Sequence, residues 1–382
     1  MTRRGAAALT ALLTAALCAL SLGNPLYAYI AALLALMLLY GLVSCLWTKR
    51  TAECRQHLTA ASVSRGESAS LSVQVYYACP LPVSPLLGEY VCAGQAGELA
   101  FPAVPFRPAG RKVPLSARHV GQYEAGMRAL WASDLFGLFR MRVSCGAASV
   151  LTVLPRPFDI EKPQFSLGDD GSAALGRTQE DYNAPEDVRA YRPGDAMKRI
   201  HWKLSSRKRE LLVRRFETPA PPDTLILLDC DTPRGGENVP EGRECLRDAL
   251  CETAVAVARM QMEDQSPVRL PIYGARANEF ASDQAEGLSL LQEMLAAQPF
   301  GSGEDFARVL DLELRRMRRT GAAVIITTRL DAQIVEGVSR IRRMGPSARL
   351  YLVTYQPDDP ASQPFVTRLQ HHLVEVCYVT PA

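Results

Sequence analysis

Residues 186–217 read EDVRAYRPGDAMKRIHWKLSSRKRELLVRRFE. They hold ten basic side chains: Arg189, Arg192, Lys198, Arg199, Lys203, Arg207, Lys208, Arg209, Arg214 and Arg215. Five acids stand against them, Glu186, Asp187, Asp195, Glu210 and Glu217, a surplus of five positive charges in a chain whose total is only +3. Concentrated charge of one sign is the chemistry of recognition, because guanidinium and ammonium groups hold carboxylates, phosphates and exposed carbonyls. Arg199, Lys203 and Arg207 fall at i, i+4 and i+8, one basic stripe if the stretch is helical. Catalytic patterns are missing elsewhere. No G-x-x-x-x-G-K-[ST], H-E-x-x-H or G-x-S-x-G occurs, and His57, His119, His201, His371 and His372 are scattered. The residue types therefore point to binding: no catalytic residue is assigned, and the chain is expected not to be an enzyme.

Three elements must position those charges. Arg192-Pro193-Gly194-Asp195 has the composition of a turn, Pro193 presetting φ and Gly194 supplying a positive φ. Asp195 then stands where a helix N-cap belongs. Met197, Ile200 and Leu204 recur at helical spacing, and residues 210–217 read as a strand. Tyr191 and Trp202 are expected to be packing residues rather than ligand contacts.

The string YRPGDAMKRIHWKLSSRKRELLVRRFE closely resembles the signature of a bacterial membrane-protein family called domain of unknown function 58. That signature reads Y-x-P-G-D, then R-x-I-x-W-K-x-S-A-R, then L-x-V-R-x-F/Y-E. Tyr191, Pro193, Gly194, Asp195, Arg199, Ile200, Trp202, Lys203, Ser205, Arg207, Leu211, Val213, Arg214, Phe216 and Glu217 stand in register with it, and Ser206 replaces the commoner alanine. The resemblance implies an architecture more than an activity.

The chain begins with two uncharged apolar runs, residues 5–22 and 26–47, separated by Gly23-Asn24-Pro25. At about 1.5 Å per residue each is long enough for a hydrocarbon core of about 30 Å, so residues 1–50 are expected to form a transmembrane helical hairpin. A cleaved signal peptide is disfavoured, since no A-x-A-type site precedes the second run. Arg3 and Arg4 precede the first helix, Lys49, Arg50 and Arg55 follow the second, and the turn between them is uncharged. The positive-inside rule then predicts a plasma-membrane protein with both termini and the soluble domains cytoplasmic. Ten cysteines without C-x-x-C spacing fit reduced thiols acting as small hydrophobes, Cys18 and Cys45 within the membrane helices.

Over 55–155 the pattern changes to period two. Residues 70–77, 99–104, 112–117, 123–130 and 148–154 read as strands punctuated by prolines, which suggests an antiparallel β-sandwich. Gly121-Gln122-Tyr123 followed by Asp134-Leu135-Phe136-Gly137-Leu138-Phe139 resembles a second signature of the same family, G-x-Y then D-P-F-G-L-F, with Leu135 in place of proline. Phe136 and Phe139 are expected in the core, with Gly137 turning the backbone. Residues 156–218 are assigned to a linker and the basic signature, the part from 155 to 185 expected to be irregular and mobile.

From 219 to 382 strands and helices alternate: strands over 224–229, 268–273, 279–282, 323–328, 349–355 and 374–379, helices over 243–262, 285–297, 305–319, 332–344 and 363–372. Apolar strands in that order argue a mainly parallel sheet covered on both faces, a doubly wound α/β domain. Its first strand ends Asp229-Cys230-Asp231-Thr232-Pro233, which resembles the D-x-S-x-S of the metal-ion-dependent adhesion site in von Willebrand factor A-like domains. There, oxygens gather Mg²⁺ and leave one position for an acidic partner residue. Asp231 and Pro233 replace the serines, Glu304 stands where a threonine would bind, and the last aspartate is missing from Thr327-Thr328-Arg329, with the cation Arg329 next to its place. Only part of the pattern is kept, so no cofactor is expected, and the resemblance leaves Mg²⁺ at a degenerate site of Asp229, Asp231 and Glu304 as the other outcome. The other reading is that the two aspartates cap the loop or pair with signature arginines.

The expected function is therefore a membrane-anchored cytoplasmic scaffold or adaptor binding protein partners. Resemblance adds a companion of the MoxR-type AAA+ ATPases, with envelope assembly or maintenance as the process. Partner contact is assigned to Arg199, Lys203 and Arg207. An inter-domain joint is assigned to Tyr191, Pro193, Gly194, Asp195, Trp202, Lys203, Arg214 and Glu217. Binding of anionic lipid or nucleic acid by the basic segment is the alternative, and an enzyme of unrecognised type the second alternative.

Overall fold

The computed structural model describes residues 2–93, 95–160, 185–192, 197, 200–216, 222–237, 239–273, 277–301, 304–317 and 320–381, apart from the side chains of 185–189 and 214–216. Most of the expected linker lies outside the described residues. The chain forms two compact units, Met1–Pro155 and Arg156–Ala382.

The first unit opens with α1 (Arg3–Leu22) and α2 (Pro25–Thr51), packed as a hairpin. The turn follows from its residues. Gly23 takes the left-handed conformation at φ 62°, the Asn24 side chain accepts the Leu26 N–H, and Pro25 is the first helical residue of α2. Both helices are long and apolar enough to cross a membrane. Only 6% and 17% of their most apolar windows are buried, so they are not core helices of the unit.

Nine strands follow: β1 (Glu53–Leu58), β2 (Ser62–Ser64), β3 (Ala69–Tyr76), β4 (Leu86–Cys92), β5 (Gln95–Phe101), β6 (Ala109–Leu115), β7 (Gly121–Ser133), β8 (Arg140–Val143) and β9 (Ser149–Leu154). They form two sheets, β1-β3-β6 and β2-β9-β7-β4-β5, with β8 added on β7. Leu71, Val73 and Val75 of the first sheet and Leu86, Phe101, Leu130 and Leu151 of the second share one buried cluster. The two sheets therefore bury their alternating apolar faces against each other. The last turns of α2 join them. Gly41, Ser44, Cys45 and Thr48 recur at i, i+3, i+4 and i+7 and are buried, with Cys45 Sγ 3.5 Å from the carbonyl oxygen of Ala132. Cys45 thus faces the sheets, although its helix is apolar enough to span.

Phe136 departs from its expected place in the core. It is 44% exposed and Leu135 51%, whereas Leu138 is buried and Phe139 half-buried. The cause is Asp134, fully buried, whose carboxylate accepts the N–H groups of Phe136 (3.0 Å) and Phe139 (2.6 Å). Gly137 turns the chain at φ 69° between them. That closed turn sends 138 inward and leaves 135 and 136 outward.

In the second unit β10 (Pro185–Ala190) and β11 (Leu212–Phe216) pair antiparallel, with α3 (Trp202–Lys208) between them in sequence. Then come β12 (Asp223–Leu228), α4 (Gly242–Glu263), β13 (Val268–Ile272), β14 (Asn278–Ser282), α5 (Gly287–Ala297), α6 (Phe306–Arg316), β15 (Thr320–Thr327), α7 (Ala332–Arg343), β16 (Ser347–Val353), α8 (Gln363–His371) and β17 (Glu375–Val379). The six strands order as β14-β13-β12-β15-β16-β17, parallel except for β14 at one edge. Ile226 and Leu228 of β12 pack on α4 and α5, while Leu225 and Leu227 pack on α6, α7 and α8. Period two puts alternate residues into opposite layers, so strands covered on both sides must be apolar throughout.

From β12 the chain crosses to β13 on one side and later to β15 on the other. The order reverses between β12 and β15, and a doubly wound sheet opens its crevice where two neighbouring strand ends diverge in this way.

Candidate functional site

Among the described residues, the side chains singled out in the sequence fall in two places, and the first is that crevice. Leu228 pairs with Ile326, so the ends of β12 and β15 lie side by side and deliver Asp229, Asp231, Thr327 and Arg329 to one point. The loop before α6 brings Asp305. Gly301 N–H donates to the Cys230 carbonyl (2.9 Å), and Gly301 adopts φ 79°; a Cβ there would meet Thr232 Oγ1 at 2.6 Å. Glycine is needed at that position on both counts.

Asp229 is buried. Its Oδ2 accepts the Thr327 hydroxyl (2.7 Å) and its Oδ1 the N–H of Asp231 (3.1 Å). Arg329, with an 11% exposed side chain, reaches across: Nε lies 3.5 Å from Asp229 Oδ2, and Nη2 contacts Asp231 Oδ2 and, at 3.1 Å, Asp305 Oδ1. One guanidinium thus sits among three carboxylates. Burial would lower its pKa, but the facing carboxylates outweigh it and hold it above the ordinary arginine value.

These residues do not fit a divalent cation. Of the three expected to gather Mg²⁺, Asp229 and Asp231 meet, but around Arg329. Glu304 does not join; it pairs with Arg308 one helical turn on at 2.9 Å. Asp229 caps the loop through the Asp231 N–H, and the cation paired with both aspartates among the described residues is Arg329. The signals that could have found this were Arg329 next to the vacated aspartate position and Asp305 beside Glu304. Cys230 lies in the same cluster, its thiol pushed up to about 12 by burial and by Asp229 and Asp231, so it is not a thiolate at neutral pH.

Burial holds the Asp229 carboxyl above its ordinary range, against the opposing pull of Thr327, the Asp231 N–H and Arg329. The folded state therefore keeps that proton to a higher pH than the unfolded chain. Its contribution to stability is present below the ordinary carboxylate pKa and is lost as pH rises through the raised value. Thermal scans across that window are expected to show the unit melting lower as pH rises, and Asp229→Asn lacking that fall. Equal slopes for the two proteins would exclude Asp229 as its source.

The second place is the basic unit around α3. Arg199, Pro193, Gly194, Asp195 and Glu217 lie outside the described residues, as does the side chain of Arg214. Lys203 and Arg207 are exposed at i and i+4 on α3. The helix begins later than its apolar spacing suggests. Ile200, buried, pairs with Val213 as an isolated bridge, and His201 N–H donates to Leu212 O (2.8 Å), so this backbone is spent on pairing with β11. His201 then caps α3, its Nδ1 accepting the Leu204 N–H at 3.2 Å. Ser205 is structural, since its buried Oγ accepts the Leu212 N–H (2.9 Å) and ties helix to strand. Tyr191 is half-buried and its N–H donates to Leu211 O (2.8 Å). Trp202 overturns its packing assignment. It is 62% exposed, and Met197 (69%) and Leu211 (48%) of the same unit are exposed as well. Ile200 and Leu212 take the buried places, so the indole faces solvent.

Residues 187–355 match the family model described as "Protein of unknown function DUF58". No curated protein matches the chain. Among solved structures it is similar to a cohesin module from a family 33 glycoside hydrolase of Clostridium perfringens ATCC13124, at 7% identity over 27% of this chain and 96% of that one, with a TM-score of 0.22. It is also similar to the SpRpn10 VWA domain, at 11% identity over 42% of this chain and 89% of that one, with a TM-score of 0.30.

Proposed function

We propose that this chain is a membrane-anchored adaptor that binds a protein partner through α3 and the segment around it. The observation that carries the reading is exposed Trp202 on the same short helix as exposed Lys203 and Arg207. A solvent-facing indole costs solubility unless something covers it, and tryptophan beside cations is the composition of binding hot spots. The partner surface it fits is acidic with an apolar cleft. The hairpin α1–α2 anchors the chain in the plasma membrane. The arginines before α1 and the cations ending α2, with an uncharged turn between, favour both termini and the soluble part on the cytoplasmic side. The soluble part reads as a β-sandwich followed by a von Willebrand factor A-like domain whose cation position is filled by Arg329. Family resemblance suggests an ATPase of the MoxR type as the partner.

Co-purification of the detergent-solubilised full chain with such an ATPase tests this. Trp202→Ala is expected to weaken the complex by about thirtyfold, the scale of losing one aromatic anchor worth about 2 kcal/mol. Reversing Arg199, Lys203 and Arg207 to glutamate should abolish it. A complex that survives both changes undiminished removes this surface as the contact.

A further inference from the structure

The turn after β7 lies against the helical hairpin rather than apart from it. Thr2, the N-cap of α1, donates its N–H to Leu138 O (2.9 Å) and its hydroxyl to Gly137 O (2.7 Å). On α2, the Tyr40 ring meets the Phe136 ring edge-on at 6.2 Å, and its hydroxyl donates to Pro82 O (2.9 Å). Gly41 is where α2 comes closest. A Cβ there would lie 3.1 Å from Asp134 Oδ2 and 3.2 Å from Phe139 Cδ2. The turn is thus level with Tyr40 and Gly41.

The apolar surface of α2 does not stop at that level. Val43, Leu46 and Trp47, on the face away from the sheets, are 40%, 43% and 46% exposed. Trp47 lies six residues beyond Gly41, about 9 Å further along the axis. Leu135 and Phe136 are therefore held beside a helix whose outer face is still apolar, and the buried Asp134 fixes them there. The charges gather at the same height or below: Arg4 against Gly137, Arg140 stacked over Trp131 at 4.7 Å, then Lys49 and Arg50. Apolar side chains, a tryptophan and cations at one level are the composition of a lipid–water interface, a layer roughly 5–8 Å thick on each side of the hydrocarbon.

We infer that the 133–140 turn is a third membrane contact, with Leu135 and Phe136 inserted into the headgroup–acyl boundary of the leaflet next to the sheets. The unit Met1–Pro155 then rides on the bilayer instead of hanging from two helices. This inference depends on α1 and α2 spanning the membrane, and the test separates the two.

The full chain is reconstituted in nanodiscs of phosphatidylcholine and phosphatidylglycerol in a Trp47→Phe background, carrying either Leu135→Trp or Leu33→Trp. Position 135 is exposed and accepts the larger side chain. One set of discs contains phosphatidylcholine with a nitroxide high on its acyl chain, and another has it near the chain end. The emission added by Leu135→Trp is expected to be quenched by the shallow nitroxide and shielded from iodide. Leu33→Trp should be quenched by the deep one. Iodide quenching at 135 while Leu33→Trp remains lipid-quenched overturns the third contact and leaves the hairpin standing. Shielding at 135 from both iodide and nitroxides also overturns it, since protein then covers the turn. An unquenched Leu33→Trp overturns the hairpin and this inference together.

Discussion

Replacing Arg329 by alanine is expected to lower the stability of the unit Arg156–Ala382 by about 3 kcal/mol, near the lower end for breaking one side of a buried ion cluster. The side chain is 11% exposed, and it is the only cation ion-paired to Asp229 and Asp231 among the described residues. Without it two carboxylates close together just beyond the end of β12 repel, one of them almost fully buried. Asp229 can take up a proton, which keeps the loss below what a fixed buried charge would cost. For a unit of this size, 3 kcal/mol corresponds to a fall of about 6–12 °C in Tm. Arg329→Met separates charge from packing, since it keeps an unbranched apolar stem and removes the guanidinium. A methionine variant as stable as the natural protein would show that the cluster contributes nothing through charge. The same substitution makes a second result available. A guanidinium and a hard divalent cation compete for the same oxygens. Mg²⁺ is therefore expected to raise the Tm of Arg329→Ala and to leave the natural protein unchanged. Calorimetry with Mg²⁺ on both proteins reads this directly, and Mg²⁺ binding by the natural protein that Asp229→Ala removes would contradict the arrangement.

Asp134→Ala is expected to have an effect of comparable size in the first unit, also about 3 kcal/mol, because hydrogen bonds to a charged group contribute about 1.5–3 kcal/mol each. The carboxylate is fully buried and accepts from Phe136 and Phe139, and its removal leaves both N–H groups without it. The turn then loses the constraint that holds Leu135 and Phe136 outward, and α2 loses the wall against which Gly41 packs. Thermal unfolding in detergent micelles, with hydrogen exchange at the Phe136 and Phe139 amides, measures both consequences. Asp134→Asn keeps one acceptor oxygen and should recover part of the loss. Unchanged exchange at both amides in Asp134→Ala would refute the assignment.

Much of the architecture was written in local patterns. Two apolar runs joined by Gly23-Asn24-Pro25 specify a helical hairpin, since each of those residues contributes separately to ending one helix and starting the next. Period two specifies strands over much of 55–155. The alternation of wholly apolar strands with amphipathic helices from residue 223 onward specifies a sheet covered on both faces. Short strands such as β2 and β8 carry too few residues for a period to register.

What the residues did at the sites was decided by tertiary structure. Asp229 and Arg329 each end a strand, but nothing local to either says that β12 and β15 are neighbours; that follows from the strand order, which long-range packing selects. Only then does the arginine reach the oxygens a cation would want. Trp202 and Phe136 show the same limit in reverse. Their hydrophobicity predicted burial, yet the Ile200–Val213 bridge and the Asp134 turn had already fixed which side chains could point inward. Composition sets how much apolar surface must be hidden, and hydrogen-bonded geometry chooses which residues hide it.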